Sequence, residues 1–390
     1  MDALDWLKKL ISFDTTSRNS NLSLIETLAN AFTDYQINPI LIHDEQAPKA
    51  NLLASIPDCH GRFNGGLILS GHTDVVPVDG QTWDSDPFQA TIREGKIYGR
   101  GACDMKGFIA VAMSLIPQLK ALHLQFPVHF AFSYDEEIGC RGAPSLIERM
   151  VKLNYKPKAC IVGEPTSMQP VIGHKGIQCY RCQIHGVAAH SSLTPQGCNA
   201  IEHAASFISY LRNIACQFKA QGHRDEAYDV PYSTLSTNLI HGGNAYNTIP
   251  ALCEFVFEIR NLVVDNPHEL HQQIVDYIDT QLLPALHKEQ KNTKVILETI
   301  SEAPGLDTPI SEPLVRAAQS ICQNEKHLKV AYATEAGLFQ QAQIPTIVCG
   351  PGSIEQAHRA NEFVSLEQLE LCRQFIIKMM KSPFLNMSEL

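Results

Sequence analysis

The chain has 390 residues, too many for one ordinary domain, so about two are expected. Hydrophobic residues make up 44% and charged residues 18%, enough apolar content for a packed core and too much for a disordered chain. A net charge of -10 with no Lys/Arg-rich run opposes binding to a nucleic-acid backbone, and no membrane or nucleic-acid partner is expected. The opening MDALDWLKKLISFDTT lacks the apolar stretch of a signal peptide, and no apolar run approaches the ~20 residues needed to span a bilayer. A soluble, cytoplasmic protein is expected. The 12 cysteines are scattered, and the one C-x-x-C, Cys179 and Cys182, lies in an alternating pattern that puts the two side chains on opposite faces of a strand. Reduced thiols acting as small hydrophobes are the simpler reading.

Taken in chain order, Asp2–Leu10 and Leu22–Tyr35 read as amphipathic helices, the second with Asn19 or Ser20 as possible caps. Asn51–Ile56 and Leu67–Leu69 read as buried strands, and a stretch rich in Pro, Gly and Asp follows to Gly107. Met105–Leu119 is expected as one helix apolar on most sides, His129–Tyr134 as a strand, Ser145–Met150 as the start of a helix and Ala159–Val162 as a strand. Strands alternating with helices predict an α/β fold, a mostly parallel sheet with helices on both faces. The texture changes near Gly173. Strand Gln178–Val187, helix Asn199–Gln217, strands Ser233–Ile240 and Cys253–Asn261, helix Pro267–Leu286 and strand Thr293–Ile300 make the β-α-β-β-α-β order of a ferredoxin-like α+β unit. It reads as an insertion, because helix Pro313–Cys322, strand Thr346–Val348 and helix Leu366–Met380 resume the first pattern. The expected division is residues 1–173 and 304–390 for the α/β domain and 174–303 for the inserted one.

His72 and Asp74, Glu136 and Glu137, Glu164, and His358 each lie just past the carboxyl end of a predicted core strand, where open α/β sheets bind ligands. Asp104 stands in the connection to the central helix. Taken singly, a His-x-Asp is more often a turn and adjacent glutamates are more often solvated surface. Acidic side chains gathered at one sheet edge repel one another unless a cation neutralises them, and two His with three carboxylates suit zinc or cobalt.

The motifs GHTDVVP, GRGACDMKG, SYDEEIG and VGEPT, in that order, resemble the aminoacylase/carboxypeptidase family of co-catalytic zinc hydrolases. The resemblance spans essentially the whole chain and implies a zinc-peptidase-like catalytic domain, a dimerisation domain in the insertion, and a homodimer. It implies two Zn2+ (or Co2+) per subunit, with His72, Asp104 and Glu164 on one, Asp104, Glu137 and His358 on the other, and Asp104 bridging. It further implies Asp74 as the carboxylate orienting His72, Glu136 as general base, His190 as an oxyanion stabiliser reaching the partner subunit's site, and Asn247 and Arg260 as holders of a substrate carboxylate. Without the family, His190 reads as a loop His and Arg260 as an exposed strand charge. The stretches around His174-Lys175, Glu335 and Gly350–His358 are similar to the branch acting on N2-acetyl-L-ornithine in arginine biosynthesis, with Glu335 facing the substrate's side-chain amine. A desuccinylase of succinyl-diaminopimelate or a broader aminoacylase remains open. Two other classes are a catalytically silent metal-binding protein, which has no use for Glu136, and a thiol hydrolase using Cys103, whose neighbour Asp104 would raise the thiol pKa. The junctions near Gly173 and Pro304-Gly305 suit a hinge.

Overall fold

Four apolar runs build the centre of the first unit. In the computed structural model, which describes residues 1–386, strands Val128–Ser133, Leu67–His72, Ala159–Pro165 and Thr346–Gly350 lie side by side in that order and are parallel. Every residue in them is buried, which is why their sequences run continuously apolar rather than alternating. Antiparallel strands extend the sheet: Ala50–Ile56 beside Val128–Ser133, then Ile40–His43, a four-residue edge strand that the sequence reading missed. On the other side Val171 pairs antiparallel with Val348.

Helix Lys106–Ser114 is buried from Lys106 to Met113 and packs against the sheet, with helices Ala3–Ile11 and Leu366–Met379 against it in turn. The single helix expected over Met105–Leu119 is two, Lys106–Ser114 and Ile116–Ala121. Pro117 lacks an N–H and stands in the first turn of the second, where that donor is not needed. The cap of helix Leu22–Asp34 is Asn21, whose amide instead bonds both backbone groups of Ala50 (2.9 and 3.0 Å) and the Thr73 hydroxyl, while Ser20 Oγ accepts from the Leu22 N–H.

The chain divides into this unit, Met1–Gly173 with Leu306–Lys329 and Thr334–Leu390, and a second, His174–Gly305 with Val330–Ala333. The second holds an antiparallel sheet in the order Thr234–Gly242, Leu252–Asn261, Gly176–His185, Lys294–Ala303. Gly176–His185 alternates buried and half-buried residues, so Cys182 faces the core and Cys179 does not. Tyr180, Phe255 and Phe257 from the strands meet Phe207 and Leu211 of helix Ala200–Gln221 and Ile274 of helix Pro267–Tyr277. The long helix expected to Leu286 widens to a π turn at Ile278–Leu282 before Leu283–Glu289. Pro284 has no N–H to give to the preceding turn, and the wider turn accommodates the missing bond.

Candidate metal centre

The parallel strands carry their chemistry at their carboxyl ends. His72 ends its strand, and Glu164 lies within the last residues of Ala159–Pro165, both still in the sheet rather than beyond it as expected. Glu136 and Glu137 follow Val128–Ser133 through Asp135, whose left-handed backbone (φ 54°) turns the chain sharply and whose carboxylate is paired with the buried Lys49. His358, also left-handed (φ 63°), sits in the loop after Thr346–Gly350, its carbonyl held by Gln81 Nε2 at 2.8 Å. Asp104 precedes helix Lys106–Ser114, in a loop whose amides at Gly101, Cys103 and Asp104 all donate to the buried carboxylate of Glu362, at 2.8–3.0 Å. Glu362 also pairs with the buried Arg100 at 2.7 Å.

These side chains converge. Asp104 Oδ1 lies 2.9 Å from His72 Nε2 and Oδ2 lies 3.4 Å from His358 Nε2, so each oxygen faces a different imidazole. Glu164 Oε1 is 3.5 Å from His72 Nε2, and Glu137 Oε2 is 3.0 Å from His358 Nε2. Donor atoms of His72, Glu136 and Glu164, and those of His72, Asp104 and Glu137, come within 4.8 Å of one another. Glu137 Oε1 is buried with no hydrogen-bond partner, a lone pair left for something else to take. The donor set of two imidazoles and three carboxylates, with that orphaned oxygen, fits a pair of divalent cations.

Without cations, protons must hold the cluster together. Burial pushes the carboxyls of Glu164 and Glu136 well above their ordinary range, with Asp104 adding to both, and lifts Glu137 to about 7. Burial opposes charge on His72, but Glu164 and the hydrogen bonds of Asp104 and Asp74 outweigh it and hold the ring's pKa well above normal. Hydrogen bonds to Asp104 and Glu137 raise His358 to about 10. Asp104 is the exception: burial would raise it, but the two imidazoles hold it well below the carboxylate range.

The Asp74 carboxylate is held mainly by groups other than the His72 ring. The nearest acceptor for His72 Nδ1 is the Asp74 carbonyl at 2.9 Å, and its carboxylate is farther, at 3.5 Å. That carboxylate accepts from the Glu136 N–H (3.0 Å), the Glu137 N–H (3.2 Å) and the Ser17 hydroxyl (2.7 Å), so it fixes the turn carrying both glutamates.

Glu335 differs from the expectation of a residue open to substrate. It is 1% exposed, and its oxygens accept from the hydroxyls of Ser70 (2.7 Å) and Ser133 (2.6 Å), which point at it from two adjacent strands. His174 and Lys175 are likewise buried, with Lys175 Nζ on the Tyr232 carbonyl at 2.6 Å. In the second unit, His190 pairs with Thr248 in a two-stranded ribbon, and the Ser191 N–H donates to the Asn247 carbonyl, so the exposed His190 and Asn247 lie together. Arg260 is half-buried and forks onto Glu258 at 2.9 and 3.2 Å. Sequence reasoning missed Glu362 and Ser17; the Arg100 beside the Asp104 loop was the available signal that a buried acid must answer it.

The chain belongs to peptidase family M20/M25/M40, whose model matches residues 68–382. It is 35% identical over 370 residues to the acetylornithine deacetylase of Pasteurella multocida, covering 94% of this chain and 93% of that one. Its fold is similar to an M20 family metallo-carboxypeptidase from Sulfolobus solfataricus (TM-score 0.78, 19% identity, 98% and 99% of the two chains). It also resembles a Bacillus subtilis protein described as a dinuclear metal binding peptidase of the M20 family (TM-score 0.63, 17% identity, 97% and 96%).

Proposed function

We propose that the protein is a metal-dependent amidase that hydrolyses N2-acetyl-L-ornithine to L-ornithine and acetate in arginine biosynthesis. The observation that carries the chemistry is Asp104, with one oxygen toward His72 and the other toward His358. The substrate rests on the Pasteurella multocida relative. His72, Asp104 and Glu164 would hold one Zn2+ or Co2+, and Asp104, Glu137 and His358 the other. Ions held there would polarise the amide carbonyl and acidify the attacking water.

The remaining steps belong to the side chains. Glu136, adjacent to Glu137 and with a carboxylate that accepts from the Cys140 thiol at 3.5 Å, takes the proton of the water as its oxygen bonds to the acetyl carbon. It delivers that proton to the nitrogen as the C–N bond breaks. Asp74 keeps Glu136 in place through its backbone. His190 of the partner subunit stabilises the developing oxyanion, and Asn247 and Arg260 hold the substrate carboxylate, for which Arg260 must give up Glu258. A homodimer is supported by the outer strand Thr234–Gly242, an unpaired edge exposing Leu239 (47%) and Ile240 (50%). A cytoplasmic location is supported by the free cysteines of the described residues, several of them buried as small apolar side chains.

The test is the ranking of kcat/KM on N2-acetyl-ornithine, N-acetyl-methionine and N-succinyl-diaminopimelate with the metal-loaded enzyme. The first is expected to lead, and a preference for either other substrate overturns the assignment.

A further inference from the structure

A second group of metal-type donors lies wholly within the second unit. Cys198 lies one residue before Asn199, the cap of helix Ala200–Gln221, His203 stands in that helix's first turns, and Glu289 is the last residue of helix Leu283–Glu289. One donor atom from each comes within 4.8 Å of the others, and His203 Nε2 is 3.1 Å from Glu289 Oε1. The frame around them is firm. Cys198 exchanges both backbone hydrogen bonds with Val187 (2.9 and 3.0 Å), and Gln290 Nε2 reaches the Gln196 carbonyl at 3.1 Å, tying the two backbone segments together. Cys198 is 1% exposed, His203 12% at its side chain and Glu289 50%, so the group is closed behind the sulfur and open to water beyond the carboxylate.

From this geometry we propose that Cys198, His203 and Glu289 form a structural site for one zinc-class divalent cation, with water as the fourth ligand. A thiolate, an imidazole and a carboxylate suit zinc or cobalt. The sulfur disfavours magnesium and calcium, and a single thiolate beside a carboxylate disfavours copper(I). On binding, the metal–sulfur bond replaces the S–H bond and the proton passes to solvent. The ion would pin the start of one helix to the end of the other, two helices that cover the same sheet. The site is independent of the proposed amidase activity.

The probe is Co2+, because sulfur-to-cobalt charge transfer absorbs in the near-ultraviolet and the six groups of the catalytic cluster include no thiol. Metal-stripped full-length protein is titrated with Co2+, as wild type, Cys198→Ser and His203→Gln. The expected result is a saturable charge-transfer band in the wild type, absent from Cys198→Ser and lost or much weakened in His203→Gln, with each variant binding one equivalent fewer. A wild-type titration without the band, a band that survives Cys198→Ser, or equal stoichiometry in wild type and His203→Gln overturns the proposal. His203 is partly exposed and its replacement leaves the thiol in place, so this variant decides the matter even if Cys198→Ser folds poorly.

Discussion

Glu136 and Glu137 are neighbours in sequence with different surroundings. Glu137 faces His358 at 3.0 Å and keeps one buried oxygen unpartnered, while the Glu136 carboxylate accepts weakly from the Cys140 thiol. Replacing Glu136 with Gln removes the proton carrier and leaves the five other groups intact. Activity should fall by roughly 10²–10⁴-fold with little change in metal content. Steady-state rates beside metal analysis of the purified variant check this, and unchanged turnover refutes the role. The same cluster makes metal binding a proton-releasing event. Metal-free, His72 is held well above its usual range, His358 near 10 and Glu137 near 7, so these groups retain protons at neutral pH that a cation must expel. The sign is therefore that apparent metal affinity rises with pH across the neutral range. Calorimetric titrations in buffers of different ionisation enthalpy should count more than one proton released per pair of ions at pH 7, and release of none would contradict the protonated cluster.

Elements place these residues through close contacts that tolerate no added atoms. Gly163, one residue before Glu164, lies where a Cβ would stand 1.9 Å from the ring of Phe108, itself fully buried in helix Lys106–Ser114. Gly163→Ala should cost at least about 2 kcal/mol, because neither the central strand nor the buried ring has room to yield. It should also weaken metal binding by shifting Glu164. Urea unfolding and metal titration measure both, and wild-type stability would show that the ring moves freely. The elements were legible to differing degrees. The central strands declared themselves as apolar runs, since burial on both faces removes polar residues from everything but their ends. Ile40–His43 carries an equally apolar Ile-Leu-Ile run, but a four-residue strand at the sheet's edge is too short to stand out from a loop. Helix Ala336–Gln341 escaped notice at six residues, too short for a helical period to repeat.

At the scale of the whole molecule, the exposed outer strand Thr234–Gly242 predicts self-association. Sedimentation should give about twice the mass of the 390-residue chain, and charged substitutions at Leu239 and Ile240 should reduce it to one chain. A monomeric wild type would exclude a partner-supplied His190. The identities of the converging groups could be read along the chain, because a strand end followed by His, Asp or Glu is a local pattern. Their pairing could not: His72 meets Asp104 across 32 residues and His358 meets Glu137 across 221, distances that only the parallel order of the strands closes. Nor could the sequence tell an acid facing the site from one facing the sheet. Both Glu335 and Glu164 are acids in a mostly apolar stretch of the chain, yet Ser70 and Ser133 claim the first while His72 faces the second. Residue type and periodicity are written locally, whereas the direction of a buried carboxylate depends on which strands lie beside it and which donors they bring.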